Sequence, residues 1–287
     1  MKQLLLIILI IFSSCKTEKA NNLGKKKSET LKVMTYNIRL DVASDGENAW
    51  QNRREFLLSQ IKFYEPTVFG TQEGRPNQIA EMKDYLSNYD FIGHGRDGEN
   101  KGEYSAIFYD TTKVKFENVN TFWLSETPEK MSLGWDASYP RICTYGLMTV
   151  LNSEEKVWVF NTHLDHKGNE AQLNGMQLIE AEIKKVNTKN YPVILTGDFN
   201  VEPESDLISN LKNNFSDAKE LAGENAFGSD GTFNGFKFQE QITRRIDYIM
   251  ISKDSKIEVK KYAVLTDSKD LKYPSDHFPV FAEIQLK

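Results

Sequence analysis

Six short polar clusters stand where apolar runs of this chain end. Asn37 closes the run from Met34, and Glu73 follows Phe69 to Gln72 just before Gly74. His163 ends the run before Asp165. Asp198 and Asn200 end Val193 to Thr196 across Gly197, with Phe199 between them. Asp247 lies in the apolar stretch from Ile246 to Ile251, and Asp276 and His277 precede the last one. A single such cluster is most often a satisfied turn. Six, each bearing a carboxylate, amide or imidazole, would share one rim if the strands are aligned.

The inventory of that rim limits its chemistry. Carboxylates (Glu73, Asp276, Asp198), amides and imidazoles, without a cysteine cluster, suit a hard oxygen-seeking cation. Mg2+ or Mn2+ fits better than structural zinc. A hard divalent ion beside a general base is a common apparatus for hydrolysing phosphoesters. Residues two apart on a strand share a face, so Asp198 and Asn200 are expected to aim at one phosphate, with Phe199 in the core. Gly197 lets backbones approach closely.

These residues need strands to hold them. Short β-rich segments occur at 31–37, 67–71, 90–93, 104–109, 121–124, 142–151, 157–162, 193–196, 245–251, 257–265 and 280–285. Helical periodicity occurs at 53–64, 77–86, 170–186 and 205–213. Many strands and few helices predict an α/β fold of sheets packed face to face with helices outside. With 39 % apolar residues, 17 Phe, 12 Tyr and 4 Trp, the chain of 287 residues can build a sizeable core. No linker interrupts 31–287, which is read as one catalytic domain.

The ordered set Asn37, Glu73, His163, Asp198-Phe199-Asn200, Asp247-Tyr248 and Ser275-Asp276-His277 resembles the endonuclease/exonuclease/phosphatase superfamily. That group includes deoxyribonucleases, AP endonucleases, deadenylases, sphingomyelinases and inositol polyphosphate 5-phosphatases. The resemblance implies a deoxyribonuclease-I-like four-layer α/β sandwich with two mixed sheets, and a Mg2+-dependent phosphoester hydrolase. It implies Glu73 as principal metal ligand, with Asn37 and Asp276 nearby. Asp198 would activate water and Asn200 would orient the phosphate. Asp247 would fix the tautomer of His277, which faces the phosphate. His163 would stabilise phosphoryl oxygens or help protonate the leaving group.

Other positions carry weaker signals. AP endonucleases place an acid two residues after the Asn37 equivalent. Arg39 stands here instead, which speaks against abasic-site repair and leaves either a phosphate contact or a salt bridge. Arg141 and Asn234 are candidate substrate contacts. His166 reads as a turn residue or a support for the catalytic groups rather than a catalyst. His94, Arg96 and Glu103 lie in a glycine-rich loop that either borders the pocket or forms a solvated hairpin. Trp123 and Trp135 either stack on a base or sugar or cap their own loop.

The N-terminus is of another kind. A basic start and an apolar run from Leu4 to Phe12 end in Ser13-Ser14-Cys15. The run is too short to span a bilayer. Residues 1–14 are therefore read as a lipoprotein signal peptide, with Cys15 as the lipidated residue and 15–30 as a polar tether. The expected location is a bacterial membrane, facing the periplasm, with no protein partner. Cys143 is then a lone thiol and reads as a core residue.

Charge narrows the substrate without naming it. The chain carries −5; residues 1–30 hold six lysines and two glutamates, so 31–287 carries −9. Such a domain lacks the lysine-rich face that long nucleic acids favour. Phosphodiester cleavage, nuclease- or phosphodiesterase-like, is the leading expectation. A phosphomonoesterase acting on a phosphorylated sugar, inositol or lipid headgroup is the alternative. A tethered, non-catalytic binding module is the reading from another class.

Overall fold

The computed structural model describes residues 29–253 and 255–286. The signal peptide, Cys15 and all but the last two tether residues lie outside them. Strands β1 (Thr30–Asn37), β2 (Val68–Gln72), β3 (Tyr89–Ile92), β4 (Ile107–Asp110), β10 (Ala226–Gly228), β12 (Ile257–Val264) and β13 (Val280–Leu286) form one sheet. Its order is β10-β12-β13-β1-β2-β4-β3. The second sheet holds β5 (Val114–Trp123), β6 (Ile142–Val150), β7 (Lys156–His163), β8 (Val193–Asp198), β9 (Phe215–Asp217) and β11 (Asp247–Ser252), in the order β5-β6-β7-β8-β11-β9. Both sheets are mixed: β1 and β2 run parallel, as do β7 and β8, while β8 and β11 run antiparallel.

Period-two alternation divides the strands between three apolar layers. Val33, Val159, Ile194 and Ile249 face inward and meet in the central core between the sheets. Their neighbours Trp158, Phe160, Leu195 and Met250 face outward, under α3 (Asn169–Val186) and α4 (Asp206–Leu211). Met34, Tyr36 and Phe69 face the other way, under α1 (Trp50–Tyr64) and α2 (Pro76–Tyr85). The result is a helix–sheet–sheet–helix sandwich, the expected four layers. Local signals set the helix ends. Pro76 opens α2 at a position where its missing N–H is no loss. Ser205 caps α4 by accepting from the Ile208 N–H. Glu65 ends α1 in left-handed backbone just before Pro66.

On the inner face the same strands turn polar toward one end: Val33-Thr35-Asn37 on β1, Val159-Asn161-His163 on β7, Ile194-Thr196-Asp198 on β8. Asn161 ties the sheets together just below the site. Its amide donates to the carbonyls of Thr71 and Ala106, each at 2.9 Å, and accepts from Gln72 Nε2 at 2.7 Å. Gly70 makes room for it, since a Cβ there would lie 2.3 Å from Asn161 Oδ1. Leaving any of these buried groups unpaired would cost about 1–3 kcal/mol. The gap between Glu73 on one sheet and Asp198 on the other is thereby fixed.

Several boundaries differ from the sequence reading. β5 starts at Val114 rather than near 121, because it is an edge strand with an exposed, polar middle and an irregular register between Glu117 and Asn120. Tyr104 lies outside β4 and bridges Gly74 and Gly95 instead. β9, β10 and the five-residue helix α5 (Ala218–Ala222) are too short for any period to register. β1 begins at Thr30, one residue inside the expected tether.

Candidate active site

The polar rim lines a cavity of about 540 Å³ that includes Glu73, His163, Asp198, Asn200, Asp276 and His277. Asp198 Oδ2 is its focal atom. Asn37 Nδ2 donates to it at 3.0 Å, His163 Nε2 lies at 3.5 Å and His277 Nε2 at 3.7 Å. On its other side the amide of Asn37 donates to Glu73 Oε1 at 3.1 Å. Asn37 therefore lies behind the cavity wall and links the two acids. Glu73 leaves β2 in left-handed backbone, φ 65°, and its Oε2 accepts from the Leu40 N–H at 3.1 Å. Asp276 is placed by its neighbour Ser275, whose hydroxyl donates to the Asn37 carbonyl at 2.7 Å.

Asp247 and His277 form a buried pair. The ring Nδ1 lies 2.9 Å from Asp247 Oδ2, leaving Nε2 toward Asp198. Burial alone would lower the pKa of His277. The charges of Asp247 and Asp198, with the Asp247 hydrogen bond, outweigh it and hold the imidazole well above its usual value. His163 goes the other way: burial and then the charges of Arg141 and Arg96 push it well below. Burial, with Asp247 adding, raises Asp198 above the usual carboxylate range. Burial also raises Asp276, so the site sets His277 above and His163 below the usual imidazole range beside two carboxylates shifted upward.

Asn200 reaches the cavity by a turn, not by strand alternation. β8 stops at Asp198; Asn200 sits at φ 56° and its N–H donates to Asp198 Oδ1 at 2.9 Å. Its side chain donates to the Leu164 carbonyl at 3.0 Å. Phe199 is fully buried and stacks on Tyr248, with ring centroids 5.1 Å apart. At Gly197 a Cβ would stand 2.2 Å from the Thr162 carbonyl oxygen, so no other residue fits.

Of the candidate substrate contacts, Arg39 and Arg141 line the cavity. Asn234 does not. It is 1 % exposed, its amide donates to the Ser275 carbonyl, and its oxygen accepts from the Phe236 N–H. Both ends of its side chain are committed to shaping the loop, so the expectation of a substrate contact is corrected. Arg96 and Glu103 border the cavity, paired at 2.7 Å, whereas His94 packs on Trp123 instead. Trp123 is buried and donates to the Arg96 carbonyl. Two aromatics line the cavity: Phe233, edge-on to His277, and Tyr139, half exposed, over Arg96 and parallel to His166. Cys143 is buried in the core, where burial pushes its thiol far up.

Sequence reasoning missed Tyr139, Arg75 and Arg244 in the lining, and Arg53 behind it. Arg75 stands two residues after Glu73 and Arg244 three before Asp247, which was the available signal. Arg53 gave none. Its buried guanidinium donates to the carbonyls of Ile38, Arg39, Asn48 and Pro274, tying the loop after β1 to the Asp276 loop.

Two groups of donors could receive a hard cation. Asp198, Asp247 and His277 present ligand atoms within 4.8 Å of one another, but their short contact is already the Asp247–His277 hydrogen bond. Glu73 and Asp276 instead each lie 3.8 Å from a nitrogen of the Arg39 guanidinium, Nη1 and Nε respectively. A cation already sits between these two acids, which are all-oxygen donors. They fit a divalent ion better.

A two-sheet α/β sandwich that gathers acids, amides and imidazoles at one rim defines the class of fold and site. The chain belongs to the Endonuclease/Exonuclease/phosphatase family, whose model matches residues 34–277. It is similar to the solved structure of a family protein from Bacteroides thetaiotaomicron, with 35 % identity, TM-score 0.84, and 91 % of this chain and 99 % of that one covered. It is also similar to a mannosyl-6-phosphatase of the same organism, with 37 % identity, TM-score 0.81, and 88 % and 99 % covered. The chain spans 64 % and 38 % of the lengths of two curated relatives it matches. The second is a probable RNA exonuclease of Schizosaccharomyces pombe, 25 % identical over 198 residues, or 62 % of this chain.

Proposed function

We propose that the protein is a Mg2+- or Mn2+-dependent phosphatase of a small phosphorylated molecule, a phosphorylated sugar being the best match. One observation carries this reading. On a domain of net charge −9, four arginines (Arg75, Arg96, Arg141 and Arg244) converge on a single cavity of about 540 Å³, beside Arg39, whose fork is taken by Asp45. An arginine-lined pocket of that size suits one compact phosphorylated ligand better than a long polyanion. The similarity to a mannosyl-6-phosphatase over nearly all of that protein supports it.

Glu73 and Asp276, with Asn37 orienting Glu73, would hold the ion. When bound, it would neutralise phosphoryl oxygens as a Lewis acid. Asp198 would take a proton from the water that attacks phosphorus. The imidazolium of His277, held by Asp247, would meet the charge on the phosphoryl oxygens. Neutral His163 would donate a hydrogen bond there, and the bond to the leaving oxygen would break as the water oxygen bonds, the leaving alkoxide taking a proton from bulk water. Asn200 stands beside the same oxygens.

Purified protein assayed with Mg2+ should release phosphate from mannose 6-phosphate. Its kcat/KM should exceed that for bis-p-nitrophenyl phosphate by about tenfold or more, a margin of ~1.4 kcal/mol. Faster cleavage of the diester or of a short RNA would favour the phosphodiesterase reading, for which Tyr139 at the mouth offers a stacking surface. No turnover of any of these would leave the binding-module reading standing.

We also propose that Cys15 carries a lipid that holds the protein on a bacterial membrane, facing the periplasm. The basic, apolar and small residues ending at Cys15 support it. Among the described residues no helix is long and apolar enough to cross a membrane. Wild type should partition into membranes and its processing should be blocked by globomycin. A Cys15→Ala variant that still partitions would refute the anchor.

A further inference from the structure

Arg39 is held in place more firmly than a surface arginine needs. It stands in left-handed backbone, φ 54°, which L-residues disfavour. Its N–H donates to Asn37 Oδ1 at 3.0 Å, and its carbonyl accepts from Arg53 at 2.7 Å and Gln78 at 2.9 Å. The guanidinium then makes a two-pronged pair with Asp45, Nε and Nη2 each at 2.9 Å. Asp45 comes from the short 3-10 turn Ala43–Asn48, which the sequence reading left unassigned. In this posture Nη1 lies 3.8 Å from Glu73 Oε2 and Nε lies 3.8 Å from Asp276 Oδ2.

Neither simple role accounts for this. A surface salt bridge with Asp45 would not need two further acids at equal distance. A substrate clamp would present its paired donors to the open cavity, but Asp45 already occupies Nε and Nη2, and Nη1 faces Glu73. We propose that Arg39 is the resident counter-cation of the Glu73–Asp276 pair, with Asp45 setting how much of its charge that pair feels. Together they set the affinity of the site for its divalent ion. The proposal rests on the metal reading of this site given above. Without the ion, the guanidinium lies within 3.8 Å of both acids and offsets their charge. An ion arriving between them meets a fixed positive charge a few ångströms away, and such repulsion is large near a protein surface. Binding is weakened, and Asp45 relieves part of that repulsion by neutralising Arg39.

Titration calorimetry with Mn2+, without substrate, on the full chain tests this. Arg39→Met should tighten Mn2+ binding by about tenfold or more, because the competing charge is gone. Asp45→Asn should weaken it several-fold (roughly three- to tenfold), because Arg39 then acts unshielded. Arg39→Lys keeps the charge but loses the two-pronged pair, and should behave like Asp45→Asn rather than like Arg39→Met. These opposite signs are the signature. If both Arg39→Met and Asp45→Asn weaken binding, the loop is merely being disordered and the proposal falls. Equal affinity in all three variants and wild type sinks it too. If wild type itself shows no saturable Mn2+ binding, the metal reading beneath it fails as well.

Discussion

Replacing His277 by alanine is expected to lower kcat by about 10²–10³-fold, the range typical of a lost charge-stabilising donor. The geometry explains why the loss should be in kcat more than in KM. His277 is buried, turns Nε2 toward Asp198 and has Nδ1 occupied by Asp247, so it offers little to ground-state binding. Asp247→Asn provides the sharper version. Asparagine can still accept from Nδ1, so the ring stays oriented, but the largest of the charges that hold the imidazole protonated is gone. The pKa of His277 then falls, with the Asp198 charge left to oppose burial. The protonated ring would survive only at lower pH, so the alkaline limb of the pH–rate profile should move to lower pH. The double variant should lose little more than His277→Ala alone, since the two act as a unit. A variant lacking His277 that retains full kcat, with its circular dichroism unchanged, would remove this residue from the chemistry.

The second large effect concerns the acidic pair. Chelation by EDTA should abolish turnover, and Mg2+ or Mn2+ should restore it in wild type. Glu73→Gln should lose about 10³-fold or more and should not be rescued, because a Lewis acid contributes several kcal/mol to charge stabilisation. The variant should still fold. A glutamine oxygen can accept from Leu40 N–H or Asn37 Nδ2 as Glu73 does, and one of two neighbouring negative charges is removed. Full activity in EDTA would overturn metal dependence while leaving the phosphoesterase class intact. Retained activity in Glu73→Gln with metal still required would move the ion to the Asp198–Asp247–His277 group.

The strands that matter most were legible because their inner faces are apolar up to the last one or two positions. Period two carries Val159, Asn161 and His163 to one face, and the same rule places Ile194, Thr196 and Asp198. Asn200 shows where that rule stops. It lies beyond the strand end, and its approach depends on a left-handed residue closing a turn onto Asp198. Asn234 shows the opposite failure. It looks like a polar loop residue, yet both ends of its amide are spent on the backbone. Cavity residues such as Tyr139 come from a long segment without periodicity, so no local pattern could mark them.

The sequence alone determined the apolar alternation, and with it the two sheets, their layers, and the polar residues at the strand ends. It also carried the ordered motifs that place the chain in its family. Which charges meet was decided only by tertiary structure. Arg53 gathering four carbonyls, Asn161 spanning the sheets, and Arg39 set between Glu73 and Asp276 with Asp45 behind it all join residues from separate chain segments. Electrostatic energy depends on distance through space, and separation along the chain does not encode it.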